Sequence, residues 1–171
     1  MKISSIMKKY LPILFAILLS PMCLAQDFAV LNAVTFSTPE SYKEAEESVL
    51  ECTTYLLSTP LQKNNPNRQA ATRFVAEWIN GTPDYTFPLD QTAQEISGKN
   101  ELLQGVYVAA MARYVLRNKE MADNAEEVKL QTVLRTLEYC NEPRNKVRKH
   151  KKLKEIIAIE KMGDLETYLD M

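Results

Sequence analysis

One histidine, three cysteines and a run of cations are the residues of this 171-residue chain that invite a chemical reading. His150 stands between Lys149 and Lys151, with no carboxylate or hydroxyl beside it in sequence to orient it as a general base. Cys52, Cys140 and His150 lack the close spacing that zinc sites use. No serine sits in a nucleophile-elbow context, and four glycines in all supply no phosphate-cradling loop. The adjacent acids Glu46 and Glu47, and Glu126 and Glu127, would point in different directions on a helix and read as solvated faces. The expectation is therefore a protein with no catalytic residue, no cofactor and no metal. An enzyme using acids on facing helices is the alternative that the linear order leaves open.

The cations carry more information. Arg144, Lys146, Arg148, Lys149, Lys151, Lys152 and Lys154 fall within eleven residues that hold no acid. Placed at the start of a helix they oppose the helix dipole, which favours acids there, and they repel one another. One reading pairs them with the rest of the same molecule, which is acidic. The other gives them an anionic partner: an acidic protein, or lipid or lipopolysaccharide head groups. Nucleic acid is the least favoured, because the chain begins as an exported protein does.

That beginning is Lys2, Lys8 and Lys9 followed by the apolar run Leu11 to Ser20, which is too short to span a bilayer. Pro21 interrupts it, and Ala25 offers a small residue for cleavage before Gln26. Residues 1–25 are read as a signal peptide and 26–171 as a single domain, periplasmic or secreted and soluble after cleavage. Acylation at Cys23 is disfavoured by the bulk of Met22. Cleavage leaves 18 basic and 22 acidic residues, a net charge of −4. In an oxidising compartment the two remaining cysteines, Cys52 and Cys140, would form a disulfide if their helices are neighbours.

The elements that must position these groups are helices. Asn100 to Glu120 carries Val106 to Met111, apolar on every face, and so belongs at the centre of a bundle. Gly105 and Ala109 give it one small-residue face, and the hydroxyls of Tyr107 and Tyr114 need partners if buried. Thr38 with Pro39, and Asn65 with Pro66, mark two helix starts. The first helix carries Tyr42, Ala45, Val49, Cys52 and Leu56 inward and closes at Ser58 to Pro60. The second carries Phe74, Val75, Trp78 and Ile79 inward and stops at Gly81. Asp123 to Glu126 resembles a capping box for a fourth helix that Pro143 ends. A fifth is expected over 145–162, closed by Gly163, with a last turn bearing Leu165, Tyr168 and Leu169. Gln26 to Ser37 shows no helical stripe and reads as an extended strap. The fold class is all-α: a single-domain bundle of about five main helices around an apolar central one.

Between the second helix and the central one lies the most distinctive stretch, WINGTPDYTF, Trp78 to Phe87. Two prolines, Pro83 and Pro88, disfavour helix over Gly81 to Asp90, and Trp78, Tyr85 and Phe87 either line a ligand pocket or fill the core. Asn80, Gly81 and Thr82 also form a glycosylation sequon, relevant only in a eukaryotic secretory route. With the segment from Cys52 through Tyr55 and Leu57 to Pro60, and the apolar central helix, this stretch resembles small exported helical proteins of Gram-negative bacteria whose function is uncharacterised. The resemblance implies the fold and the compartment and attaches no functional residue. Function is expected to be non-enzymatic: a binding or accessory protein contacting a protein partner or itself, or else a protein docking on anionic membrane head groups.

Overall fold

Side-chain caps set where the helices begin. In the computed structural model, which describes residues 27–88 and 90–171, Thr38 and Ser41 form a reciprocal capping box at the start of α1 (Pro39–Glu44). Asn65 accepts from the Arg68 N–H at the start of α3 (Pro66–Gly81). Asp90 accepts from Thr92 N–H at α4 (Gln91–Ser97), and Asn100 from Leu103 N–H at α5 (Glu101–Arg117). Asn124, rather than the expected Asp123, caps α6 (Ala125–Asn141) by accepting from Glu127 N–H. Each cap satisfies a backbone donor that the first helical turn leaves unpaired. The remaining helices are α2 (Glu46–Ser58), α7 (Lys151–Met162) and α8 (Leu165–Tyr168).

The expected first helix is two helices, α1 and α2, divided at Ala45. The long ones are α2, α3, α5, α6 and α7, and no strand occurs among the described residues. The central helix is α5, which packs on α2, α3, α4 and α6. Val106, Tyr107, Ala109, Met111, Ala112 and Val115 are all fully buried in it. Gly105 lets α3 approach: a β-carbon there would lie 2.8 Å from the Thr72 methyl. The α7 helix docks instead on the short α4, and its buried face is Leu153, Ile156 and Ile157.

Two expectations about chain path are corrected. The segment read as an extended strap contains a 3₁₀ helix, Phe28–Ala33, capped by Asp27. Phe28 is buried against the Tyr55 ring, 5.0 Å between centroids, and the turn lies on α3. The helix expected over 145–162 begins only at Lys151. Pro143–Asn145 form their own 3₁₀ turn, and Lys146 is left-handed at φ +54°. Asn145 explains the break. It is buried, its side-chain amide donates to Tyr139 O at 2.9 Å, and its carbonyl accepts from Leu61 N–H at 3.3 Å. That tertiary commitment fixes a backbone that propensity alone would continue as helix.

No helix of the described residues is long and apolar enough to cross a membrane. The segment read as a signal peptide, residues 1–25, lies outside the described residues.

Candidate functional site

The seven cations do not share one helical face. Arg144 belongs to the 3₁₀ turn, Lys146, Arg148 and Lys149 to the irregular stretch before α7, and only Lys151, Lys152 and Lys154 to the helix. Arg144 stands 3.9 Å from Glu142. Lys152 pairs with Glu155 at 3.2 Å and lies 4.9 Å from the centroid of the Tyr168 ring. Lys146, Lys151 and Lys154 are exposed to solvent.

Arg148 and Lys149 do converge with cations from elsewhere in the chain. They line an open cleft of about 890 Å³ together with Lys63, Lys99, Gln69, Ser97, Asn100, Leu102 and His150. Four cations therefore face one acid, Glu101, across a single depression. Lys149 is oriented by a 2.8 Å hydrogen bond donated to Asn141 Oδ1. Three helix starts furnish the walls: Lys63 precedes the α3 cap, Lys99 the α5 cap, and Lys149 the α7 cap. Helix N-termini carry partial positive charge, so backbone and side chains contribute potential of the same sign.

His150 forms part of the wall. Its Nδ1 accepts from Leu153 N–H at 3.4 Å, capping α7, while Nε2 lies 3.1 Å from Ile96 O. The neutral tautomer with hydrogen on Nε2 satisfies both contacts. Gly98, at φ +57°, leaves room for the imidazole: a β-carbon there would come within 3.1 Å of Nε2. One ring thus holds the start of α7 against the end of α4, and with it Arg148 and Lys149 against Lys99.

Lys63 and Lys99 were absent from the sequence-based patch because they lie far from 144–154 in the chain. A signal for them exists, namely a cation one or two residues ahead of a helix-capping Asn or His, repeated at Lys63, Lys99 and Lys149. Only the packing of three helix starts reveals that the repeats meet.

The other sequence candidates serve structure. Trp78 is fully buried and donates its indole N–H to Tyr42 O at 2.8 Å. Tyr85 and Phe87 pack on it, each 5.8 Å between centroids. Tyr85 is anchored by donating its hydroxyl to Glu46 Oε1 at 2.9 Å, and Glu46 in turn pairs with Lys119 at 2.5 Å. The rings fill one another's space. The expected disulfide is corrected as well: Cys52 and Cys140 are free, buried thiols. Their helices α2 and α6 each pack chiefly on α5. Burial pushes both thiols up to about 12, which disfavours the thiolate at neutral pH.

One buried cation escaped the sequence reading altogether. Arg68, 1% exposed, donates Nη1 to Thr59 O and Oγ1 at 3.2 and 3.0 Å. Its Nη2 donates to Leu56 O at 3.2 Å and to the Tyr139 oxygen at 3.4 Å. Its neighbours among the described residues are thus the terminal carbonyls of α2, where a cation complements the helix dipole, and no carboxylate. Burial lowers its pKa, opposed by Tyr139 and Tyr55. The Tyr139 hydroxyl donates to Thr59 O at 2.6 Å, joining the ends of α2 and α6.

Among the described residues no group of three or more His, Cys, Asp or Glu side chains is placed to hold a metal ion. No family model, no curated protein and no solved structure matches this chain.

Proposed function

We propose that this is an exported, non-enzymatic helical binding protein whose basic cleft receives an acidic segment of a protein partner. The observation that carries the reading is the meeting of Lys63, Lys99, Arg148 and Lys149 around one depression with Glu101 as its single acid. The cleft is open and about 890 Å³ in volume, in the size range of ligand sites and roomy enough for several side chains. Its cations are mostly exposed, so they steer and select a partner more than they add affinity.

A fluorescein-labelled oligoglutamate peptide is the direct probe, read by anisotropy at low salt. The K63Q/K99Q/R148Q variant should bind it about tenfold more weakly, the sum expected of three solvent-screened charge contacts. The K146Q/K151Q/K154Q variant removes the same charge outside the cleft and should bind as the wild type does. Equal loss from both variants would reduce the effect to net charge and overturn the site. Tight binding to phosphatidylglycerol vesicles with none to the peptide would replace the protein partner with a membrane surface. Export has its own measurement: N-terminal sequencing of the native protein should begin at Gln26, and an intact Met1 or a lipid-modified Cys23 would refute it.

A further inference from the structure

A second cationic cluster, separate from the basic cleft, lies between α5 and α6. Arg113 and Arg117 are four residues apart on α5 and so neighbours on one helix face, a placement that costs stability for like charges. Arg135 joins them from α6, and the three line a notch of about 170 Å³ whose wall includes Ala110, Tyr114 and Gln131. We infer that this notch is a binding site for the phosphoryl group of a small phosphomonoester, gripped by Arg113, Arg117 and Arg135.

The charges in and around the notch leave an anion's place open. Arg113 donates Nη1 to Thr54 Oγ1 at 3.1 Å, a neutral partner, and among the described residues neither it nor Arg117 has a carboxylate within ion-pair distance. Arg135 alone is paired, with Glu138 one turn along its own helix. Glu127 and, more weakly, Glu120 act on the Tyr114 wall, and Glu127 is already engaged. Its Oε1 accepts from the Tyr114 hydroxyl at 3.2 Å and from Gln131 Nε2 at 3.1 Å. Burial, then the nearby Arg117 and Arg135, depress the Arg113 pKa. A dianion among the three would relieve that repulsion.

Shape and charge select the group. Guanidinium presents planar forked donors that match oxyanions bidentately. A phosphoryl group on a monoester offers three acceptor oxygens and a charge of about −1.5 to −2, which suits three guanidiniums converging from two helices. A carboxylate brings two oxygens and one charge. The notch is too small for a run of acidic side chains, which distinguishes it from the basic cleft. Arg117 is exposed, so the group can enter from solvent while Ala110 and the Tyr114 ring border the ester side.

Calorimetric titration of the full chain at low salt tests the site with three soluble probes, glycerol 3-phosphate, inorganic phosphate and succinate. Glycerol 3-phosphate should bind saturably and at least tenfold tighter than succinate, and should raise the thermal midpoint. Comparable binding of inorganic phosphate would make the free ion the natural ligand of the same phosphoryl chemistry. R117Q removes an exposed, unpaired side chain and should fold normally while weakening glycerol 3-phosphate about tenfold. K99Q/R148Q, which alters only the basic cleft, should leave that affinity unchanged, so the two sites fail or stand separately. No saturable heat, unchanged affinity in R117Q, or loss in K99Q/R148Q would each overturn the assignment. So would binding confined to phosphatidylglycerol vesicles.

Discussion

Replacing Arg68 by methionine removes a buried cation that has no acid partner among the described residues, and the fold is expected to lose by it. Four hydrogen bonds disappear, two to backbone carbonyls, one to the Thr59 hydroxyl and one to the Tyr139 oxygen. Thr59 O keeps its bond from the Tyr139 hydroxyl, so Leu56 O is the acceptor left most exposed to the cost of an unpaired buried group, about 1–3 kcal/mol. Charge-assisted hydrogen bonds contribute roughly 1.5–3 kcal/mol each. Against their sum stands the desolvation of a guanidinium, an effective several kcal/mol that methionine no longer incurs. The balance is a net loss of about 3 kcal/mol, a substantial part of the roughly 7–20 kcal/mol expected for a domain of this length. Urea unfolding followed by far-UV circular dichroism measures it, with the m-value unchanged if only the native state is affected. The thermal midpoint should fall by roughly 6–12 °C. Lysine should not rescue, because one ammonium cannot span Leu56 O and Thr59 together. A Met variant within about 0.5 kcal/mol of the wild type would mean that desolvation cancels the bonds, and the tie between α2, α3 and α6 would have to be sought elsewhere.

Tyr107 is fully buried with no hydrogen-bond partner for its hydroxyl among the described residues, so Tyr107→Phe should be neutral or stabilising by about 1 kcal/mol in the same urea assay. A destabilisation larger than that would reveal a partner. In a chain beginning at Gln26, Cys52 and Cys140 should be silent to a thiol reagent in the native protein at neutral pH and yield two equivalents in unreduced denaturant, since burial raises them to about 12. Fewer than two equivalents would restore the disulfide. For Asp90, burial raises the pKa, but hydrogen bonds from Lys129 and Thr92 outweigh it and leave the group below its ordinary value. Its stabilising effect is therefore complete above the unfolded carboxylate pKa and lost as pH falls through the depressed folded value. Asp90→Asn should flatten the acid limb of the stability–pH profile, and an unchanged limb would refute the pairing.

The cleft and the notch share a lesson about like charges. In both, cations from separate parts of the chain gather without enough acid to neutralise them, although residues 26–171 as a whole are acidic. Clusters of this kind lower stability when empty.

Periodicity and capping chemistry are local properties, and the features that rest on them were determined by the sequence alone. The all-α class, the apolar central helix and the starts at Thr38, Asn65 and Asn100 all depend on side chains acting within one turn of their own backbone. The tertiary structure decided everything that depends on distant partners. The helix start moved from Asn145 to Lys151 because Asn145 is claimed by Tyr139 and Leu61. Cys52 and Cys140 both face the core as free thiols, because the packing of α2 and α6 on α5 sets where each stripe points. Arg68 reads as an ordinary exposed residue near a helix start until the ends of α2 and α6 close around it. Lys63, Lys99, Arg148 and Lys149 look unrelated in the chain, as do Arg113 and Arg135. Charge acts through space and not along the backbone, so these groups became clusters only when the packing of α3, α5, α6 and α7 brought them together.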